Sequence, residues 1–366
     1  MHNTGTLIAN DRDLGRIQAL RQSLLRMGLV NTTITCYDGV NYPKDAGYFD
    51  RILVDAPCSC EGTIRKNPEV AHRLSRGKLD AMAHIQRLLL EKAVQLCKVG
   101  GRIVYSTCTF APEENEGVVD SVLRKFGAQN LKSIPAKIPE FKTCPGLTRW
   151  ENQDYHESVQ NAVRIWPHHN DTGGFFIAVL KKTGEAGSPR AKERKQHATL
   201  SGMRPDEIHQ KTKDIPKWIN VIAERFGIEE SELESYQIFS EKRERVSFTS
   251  DNHTLPLAPE INTTGLPLMR AHALYPKLTT PAVQLIGSLA KQNVIQLKRD
   301  QIESFMKREN LQIESEQMIR VTETGYVIVK YEENPLGVGF MKTGNKPPYR
   351  MESLFPKAWY LSTLSD

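Results

Sequence analysis

The stretches FDRILVDAPCSC (residues 49–60) and GGRIVYSTC (residues 100–108) decide the fold of this chain of 366 residues. Each begins with an apolar run of the length of a buried strand and ends in small polar residues and a cysteine. Between them, over about residues 78–98, apolar side chains recur at three- and four-residue spacing, which predicts a helix. Strand, helix and strand in this order form the unit of a parallel sheet, whose ligand sites lie at the carboxyl ends of its strands.

The same alternation extends on both sides of these stretches. Residues 7–10 (LIAN) predict a strand, followed by an amphipathic helix that Gly28 ends, and residues 32–37 (TTITCY) predict the next strand. Further along, the acidic start at residues 113–116 suits the positive end of another helix. Residues 164–181 predict an antiparallel hairpin around the turn HHNDTGG. We therefore expect an α/β domain whose sheet is mixed at one edge.

A chain of this length is too long for one compact core and predicts at least one internal boundary. After residue 182 the sequence loses its large apolar residues and becomes rich in Lys, Arg, Ser and Gly, as linkers do. Strand-like runs near the end predict a small, mostly β module, and they lie at 294–297, 318–322 and 326–331. We predict an α/β domain at 1–182, a linker at 183–205, a connecting α/β region at 206–289 and the β module at 290–366.

The composition excludes several classes of protein. Charged residues make up 25% of the chain, and no run approaches the roughly 20 apolar residues that a membrane-spanning helix needs. The first residues, MHNTGTLIANDRD, have neither the basic start nor the apolar run of a secretory signal, so we expect a cytoplasmic protein. Its six cysteines are then expected to be reduced thiols. The net charge of +6 favours a polyanionic partner, although a mildly basic charge also serves solubility alone.

Two cysteines follow neighbouring strands of the predicted sheet. Cys58 comes shortly after the strand that ends near Asp55, and Cys108 comes directly after the next strand. Because adjacent parallel strands end at the same edge, we expect both thiols to serve one pocket. Either cysteine alone could be a small apolar filler of the core. Their matched positions, with a carboxylate beside one of them, favour a reactive pair.

A series of motifs around these thiols, over residues 5–182, resembles the Nop/Sun family of RNA (cytosine-5) methyltransferases. In chain order the motifs are IANDRDLGR (8–16), LLRMG (24–28), YDG (37–39), DAPCSCEGTIRKNP (55–68), IQRLLLEKA (85–93), GGRIVYSTCTFAPEENE (100–116) and RIWPHHNDTGGFFIAVLKK (164–182). Their number, length and order make the resemblance specific. It implies the Rossmann-like sheet of the S-adenosylmethionine-dependent methyltransferases, with ribosomal or transfer RNA as the substrate.

The resemblance also assigns roles to the two thiols. Carbon 5 of cytosine is a poor nucleophile, so methylating it requires prior covalent addition at carbon 6. The resemblance implies that Cys108 makes this addition and that Cys58 assists release of the product. A free thiol with a pKa near ~8.5 is only slightly ionised at neutral pH, so we expect cationic groups or helix amino termini near the site. Asp55 is expected to stabilise charge that develops on the base.

Three aspartates follow predicted strands and are candidates for binding S-adenosylmethionine. The resemblance implies that Asp11 holds the ribose hydroxyls, that Asp38 meets the adenine and that Asp55 lies between the methyl donor and the target base. A carboxylate in the position of Asp11 is also what ribose recognition in a Rossmann-like sheet requires. Alternatively, Asp11 and Asp38 could cap helices or form turns.

Two features depart from the family pattern. The family's Gly-rich cofactor loop should precede residue 5 and falls outside this sequence, which predicts an N-terminally truncated sheet and weak cofactor binding. A catalytically impaired RNA-binding protein is therefore the alternative function. Cys60 stands where the family more often has Gly, but with no second Cys or His pair at ligand spacing we expect no metal site.

Residues of about 290–366 resemble the PUA-like domains appended to many RNA-modifying enzymes. Lys and Arg residues stand among Tyr349, Phe355, Trp359 and Tyr360, which suits a surface that grips folded RNA. An ordinary apolar core with solvated lysines would give the same pattern. Methylation of DNA is disfavoured because the DNA enzymes take their nucleophile from the Pro-Cys position. The sequence gives no sign of an obligate protein partner.

Overall fold

The computed structural model describes residues 1–46, 48–185, 215–240, 245–270, 276–344, 347 and 349–360. The predicted linker at 183–205 lies almost entirely outside these residues. Among the helices of the described ranges, none is long and apolar enough to cross a membrane.

The elements alternate between strands and helices in the first half and are mostly strands in the second. The strands of the first half are β1 (Leu7–Asp11), β2 (Thr32–Cys36), β3 (Phe49–Asp55), β4 (Cys97–Thr107), β5 (Leu131–Ile134), β6 (Cys144–Pro145), β7 (Arg149–Trp150), β8 (Gln153–Asp154), β9 (Val163–Ile165) and β10 (Phe175–Lys182). Those of the second half are β11 (Tyr236–Ser240), β12 (Arg245–Ser250), β13 (Ile261–Thr264), β14 (Leu266–Arg270), β15 (Val294–Gln296), β16 (Asn310–Ile313), β17 (Gly325–Tyr331), β18 (Asn334–Lys342) and β19 (Tyr349–Ser353). The α-helices are α1 (Leu14–Met27), α2 (Arg76–Leu96), α3 (Glu116–Phe126), α4 (Pro167–Asn170), α5 (Ile215–Phe226), α6 (Thr280–Ile286) and α7 (Gln301–Met306).

The chain divides into two compact units. One is Tyr37–Gln196, and the other joins Met1–Cys36 to His197–Asp366. This division differs from the predicted boundary at residue 182, because the first 36 residues pack with the second half of the chain. Val30 is buried in the same apolar cluster as Trp218 of α5 and Ile286 of α6, and Leu25 of α1 packs against it. Burial of these apolar side chains assigns α1 and β2 to that unit.

The unit of residues 37–196 is built on a mixed sheet of order β3-β4-β10-β9-β6, with β5 also paired to β10. β3 and β4 are parallel, and Asp55 pairs with Ser106 at their carboxyl ends. The antiparallel pairing of β9 with β10 confirms the predicted hairpin. Gly100 and Gly101 lie inside β4, which begins at Cys97, so the preceding helix ends slightly before the predicted residue 98.

Helix α2 connects the two parallel strands and covers the sheet together with α3. Ser75 caps α2 by accepting a hydrogen bond from Lys78 N. The face of α2 that bears Leu90 and Val94 packs in one core with Val118 of α3 and Ile103 of β4. All four side chains are almost completely buried. This packing holds β3 and β4 side by side, which positions the loops that follow them.

The first two strands do not join that sheet. β1 and β2 are parallel, as predicted, but β13 pairs with the other edge of β2 in a three-stranded sheet. Thr33 of β2 also bonds Thr264 of β13, with the hydroxyl oxygens 2.7 Å apart. We expected one sheet through the whole α/β region, and this expectation is wrong for the first two strands. The edge of a strand pairs with a neighbour that satisfies its backbone N–H and C=O groups. Here that neighbour is β13, which is rich in β-branched residues.

The second half contains two further sheets. β11, β12 and β14 form an antiparallel sheet, and the last sheet has the order β15-β17-β18-β19-β16. The predicted strand at 318–322 is wrong, because residue 318 ends a 3-10 turn and residues 319–322 form a turn and an irregular segment. Phe355 is buried, and Tyr349, Trp359 and Tyr360 pack against the core that contains Phe355. These aromatic side chains therefore contribute to the core of the module.

Candidate active site

The two loops that follow β3 and β4 bring a pair of cysteines into contact. The Sγ atoms of Cys58 and Cys108 lie 3.4 Å apart, and both side chains are half-buried. Ala56 N donates to Ser106 O at 3.0 Å, which continues the strand pairing one residue beyond Asp55. The structure therefore brings close together the two thiols that the sequence predicted at the ends of adjacent strands.

Backbone hydrogen bonds fix the loops to one another just beyond the thiols. Gly62 N donates to Cys108 O at 2.8 Å, and Gly174 N donates to Gly62 O at 3.0 Å. A Cβ on Gly62 would lie 2.4 Å from Gly174 O and 2.9 Å from Cys108 O. The close approach of three backbone segments therefore requires glycine at position 62.

Side chains next to the cysteines form a second link between the loops. The hydroxyl oxygens of Ser59 and Thr109 lie 2.7 Å apart, and Thr109 Oγ1 donates to Glu61 Oε2 at 2.9 Å. Glu61 Oε2 also accepts from Phe110 N at 2.9 Å. Each loop is thus tied to the other on the carboxyl side of its cysteine.

A buried pair of polar residues holds the backbone on both sides of Cys58. Gln86 Nε2 on α2 donates to Pro57 O at 2.8 Å and to Glu114 Oε2 at 2.7 Å. The same Glu114 oxygen accepts from Ser59 N at 3.0 Å. Burial raises the pKa of Glu114. The sequence reasoning missed this function for Gln86 and Glu114, although a glutamine on the apolar face of α2 was a signal for it.

A second buried pair supports the loop after Cys108. Arg164 donates from Nε and Nη2 to the two carboxylate oxygens of Glu116, at 2.7 and 2.5 Å. Arg164 Nη1 also donates to Phe110 O at 3.0 Å, and its guanidinium lies 5.5 Å from the Trp166 ring centroid. Glu116 is fully buried and Arg164 almost so. Ion pairing with this geometry satisfies both charges away from water.

The environment of Cys58 disfavours its ionised form. The hydrogen bond to Cys108 is the largest cause that raises the pKa of Cys58 far above its usual value, and desolvation by burial adds to it. Glu61 and Glu114, the charged side chains of the surrounding network, are acidic and do not provide the cationic lining that we expected. The thiolate form of Cys58 is therefore disfavoured in this arrangement.

Cys60 adds a third thiol to the pair. Its backbone is in the left-handed region, with φ 64° and ψ 23°, and its Sγ donates to Cys58 O at 3.3 Å. The Sγ atoms of Cys58, Cys60 and Cys108 all lie within 4.8 Å of one another. Spacing along the sequence could not reveal this set, because Cys108 comes from the other loop.

The aspartates singled out by the sequence have local contacts. Asp55 Oδ1 accepts from Ser106 Oγ at 3.5 Å, at the end of β3. Asp38 caps a short 3-10 helix by accepting from Val40 N, and it also accepts from Asn41 Nδ2. Asp11 lies in the other unit, where its Oδ1 accepts from Asp13 N at 2.8 Å. The turn and capping contacts considered from the sequence are thus present for Asp11 and Asp38.

The chain matches two family models. Residues 1–181 match the 16S rRNA methyltransferase RsmB/F, and residues 292–359 match the methyltransferase RsmF PUA domain. Among solved structures, a methyltransferase homolog protein from Pyrococcus horikoshii is 33% identical, with a TM-score of 0.44, over 50% of this chain and 55% of that one.

Several curated relatives are similar to this chain. A 28S rRNA (cytosine-C(5))-methyltransferase of Mus musculus is 39% identical over 50% of this chain and 23% of its own length. A tRNA (cytosine(49)-C(5))-methyltransferase of Pyrococcus abyssi is 41% identical over 50% of this chain and 57% of its own. The ribosomal RNA small subunit methyltransferase F of Aeromonas salmonicida is 29% identical over 93% of this chain and 66% of its own. The chain thus spans less than two thirds of each of these relatives. On these family models, residues 1–181 belong to the RsmB/F family of RNA methyltransferases and residues 292–359 to the PUA domain of RsmF.

Proposed function

We propose that this protein transfers a methyl group from S-adenosylmethionine to carbon 5 of cytosine in ribosomal or transfer RNA, through a covalent cysteine adduct. The observation that carries the proposal is the contact of Cys58 Sγ with Cys108 Sγ, 3.4 Å apart at the ends of adjacent strands. Relatives named as rRNA and tRNA cytosine-C5 methyltransferases support the same reaction and substrate class.

In the first step, the thiol of Cys108 loses its proton, which passes through solvent to the ring nitrogen, and its sulfur forms a bond to carbon 6 of the base. The electron pair displaced from the 5,6 double bond makes carbon 5 nucleophilic. Asp55 is proposed to hydrogen-bond the amino group and protonated ring nitrogen while this charge develops. Bound S-adenosylmethionine supplies the methyl group. The closely paired loops hold the nucleophile in position for this addition.

In the second step, the proton on carbon 5 leaves and the bond between carbon 6 and Cys108 breaks, which restores the double bond. The hydrogen bond to Cys108 is the main cause of the raised pKa of Cys58, so adduct formation removes that cause. Cys58 can then lose its own proton to solvent and, as a thiolate, accept the proton from carbon 5, while Cys108 leaves as a thiolate. The proposed division of roles follows: Cys108 is the nucleophile and Cys58 the base that permits release.

The test uses the full chain with radiolabelled methyl donor and RNA from cells that lack the gene. We expect Cys108→Ala to abolish both transfer and adduct, and Cys58→Ala to accumulate a protein–RNA adduct that survives denaturing gels. Cys144→Ala is the matched control, since this half-exposed cysteine is on β6 and outside the thiol cluster. An adduct with Cys108→Ala but none with Cys58→Ala would reverse the assignment.

For the methyl donor, we propose that Asp38 and Asp55, which belong to one unit, take part in binding S-adenosylmethionine. Carboxylate oxygens are acceptors, and the ribose hydroxyls and adenine amino group are donors, so the chemistry of these side chains fits the cofactor. Replacing Asp38 with Ala should raise the KM for the methyl donor more than it lowers kcat. An unchanged KM would remove Asp38 from the binding set.

The alternative is an RNA-binding protein of impaired activity, for which the match to the RsmF PUA domain is the supporting observation. Methyl transfer by the unmodified chain, measured beside filter binding of RNA by the unmodified chain and by Cys108→Ala, separates the two. The enzyme predicts transfer by the unmodified chain and retained RNA binding by the variant. RNA binding without transfer, at saturating methyl donor, would favour the alternative.

A further inference from the structure

We propose that Cys58, Cys60 and Cys108 form a binding site for a thiophilic divalent cation of the Zn²⁺ class, with all three sulfurs as ligands. Their Sγ atoms lie within 4.8 Å of one another, and all three side chains are half-buried and reachable from solvent. In a tetrahedral zinc site with Zn–S bonds of about 2.3 Å, ligand sulfurs are roughly 3.8 Å apart. Side-chain rotation alone can therefore bring the cluster to ligand geometry.

The backbone of Cys60 is the second observation. With φ at 64°, the residue occupies a conformation that glycine adopts freely and that is strained for a residue with a side chain. The proposed methyl transfer uses Cys58 and Cys108 and gives Cys60 no part. This conformation places the third thiol beside the other two, so the strained residue completes a ligand set.

The loops that carry the thiols are held rigidly, which favours binding. Gln86 and Glu114 hold the backbone on both sides of Cys58 through Pro57 O and Ser59 N. Cys108 O accepts from Gly62 N in the loop that bears the other two thiols. A set of ligands fixed in this way loses little conformational entropy when the cation binds.

Binding exchanges protons for the metal. The three S–H groups release three protons to solvent, three S–Zn bonds form, and a water molecule completes the coordination. Cys108 is then a ligand and cannot add to a base. A bound cation therefore inhibits methyl transfer reversibly, and this consequence, unlike the binding itself, rests on the proposed function.

The binding experiment uses the full chain, fully reduced and kept free of oxygen, with Cd²⁺ as a spectroscopic probe and Zn²⁺ in competition with a coloured chelator. We expect one equivalent of Cd²⁺ to produce a sulfur-to-metal charge-transfer band. Cys60→Gly, which suits the positive φ, should weaken binding by at least ~10-fold. Cys144→Ala is the matched control and should bind as the unmodified chain does. Equal binding by Cys60→Gly and the unmodified chain would overturn the proposal.

Thiol counting distinguishes a metal site from a disulfide. After exposure to Zn²⁺, a chelator alone should restore all three thiols to reaction with a thiol reagent. If only a reductant restores them, the cluster is a disulfide-forming pair and the proposal is wrong. Zn²⁺ should also inhibit methyl transfer at lower concentration in the unmodified chain than in Cys60→Gly. The chain could bind the metal through Cys60 and yet show no methyl transfer. This result would refute the proposed function but support the metal site.

Discussion

Replacing Gly62 with alanine tests whether close backbone packing holds the two cysteine loops together. The new Cβ would lie 2.4 Å from Gly174 O, 2.8 Å from Gly174 C and 2.9 Å from Cys108 O. All three atoms belong to backbone, so no side-chain rotation relieves the contact. The segments must separate, which weakens the hydrogen bonds from Gly62 N to Cys108 O and from Gly174 N to Gly62 O.

The expected cost follows from these contacts. Overpacking of this kind costs about 1–3 kcal/mol, and each weakened hydrogen bond costs about 0.5–1.5 kcal/mol. We therefore expect Gly62→Ala to lower the free energy of unfolding by about 3 kcal/mol. For a unit of this size, that corresponds to a fall in Tm of roughly 6–12 °C.

The assay is calorimetry of the full chain combined with hydrogen exchange of peptides that cover the two loops. Gly77→Ala is the matched control, because nothing lies within 4 Å of its Cβ position. As a residue of α2, it should gain up to about 1 kcal/mol in helix propensity. If Gly62→Ala unfolds and exchanges like the Gly77→Ala protein, backbone packing at position 62 does not hold the loops.

Three further predictions concern buried groups. Arg164→Ala leaves the buried Glu116 carboxylate without its ion pair. Denaturant titration should show that the free energy of unfolding falls by about 3–5 kcal/mol. A loss below about 1 kcal/mol, which is typical of an exposed ion pair, would contradict this prediction. Burial raises the pKa of Glu114, so the folded protein retains this proton to higher pH than the unfolded chain does, and stability is lost as pH rises from about 4 through the raised value. Glu114→Gln cannot ionise and so lacks this loss. The Tm of Glu114→Gln minus the Tm of the unmodified protein should therefore increase as pH rises. A difference in Tm that does not change with pH would contradict a raised pKa of Glu114. Phe305→Ala creates a cavity at a fully buried position in the core of the C-terminal sheet. Calorimetry should show that the free energy of unfolding falls by about 3–5 kcal/mol. An unchanged Tm would contradict this prediction and show that the core collapses into the cavity.

The sequence alone determined the order of strands and helices from β1 to α3, but it did not predict the short strands β5 to β8. Apolar periodicity predicted α2 and the strands on both sides of it, and Gly28 was correctly expected to end α1, where its φ is 65°. The contact between Cys58 and Cys108 was also predictable. Parallel strands joined by a helix end at one edge of a sheet, so residues at matched positions after them must lie close together.

Other features depended on the partners that distant segments chose. The pairing of β2 with β13 could not be predicted, because a strand's sequence indicates that it needs a neighbour and not which neighbour satisfies its edge. The same holds for Gln86 and Glu114, whose function arises from the backbone groups that folding buries beside them. The sequence thus determined the neighbouring pair of thiols through local periodicity. Tertiary structure alone decided the third thiol and the buried supports, because these contacts join loops and helices that only folding brings together.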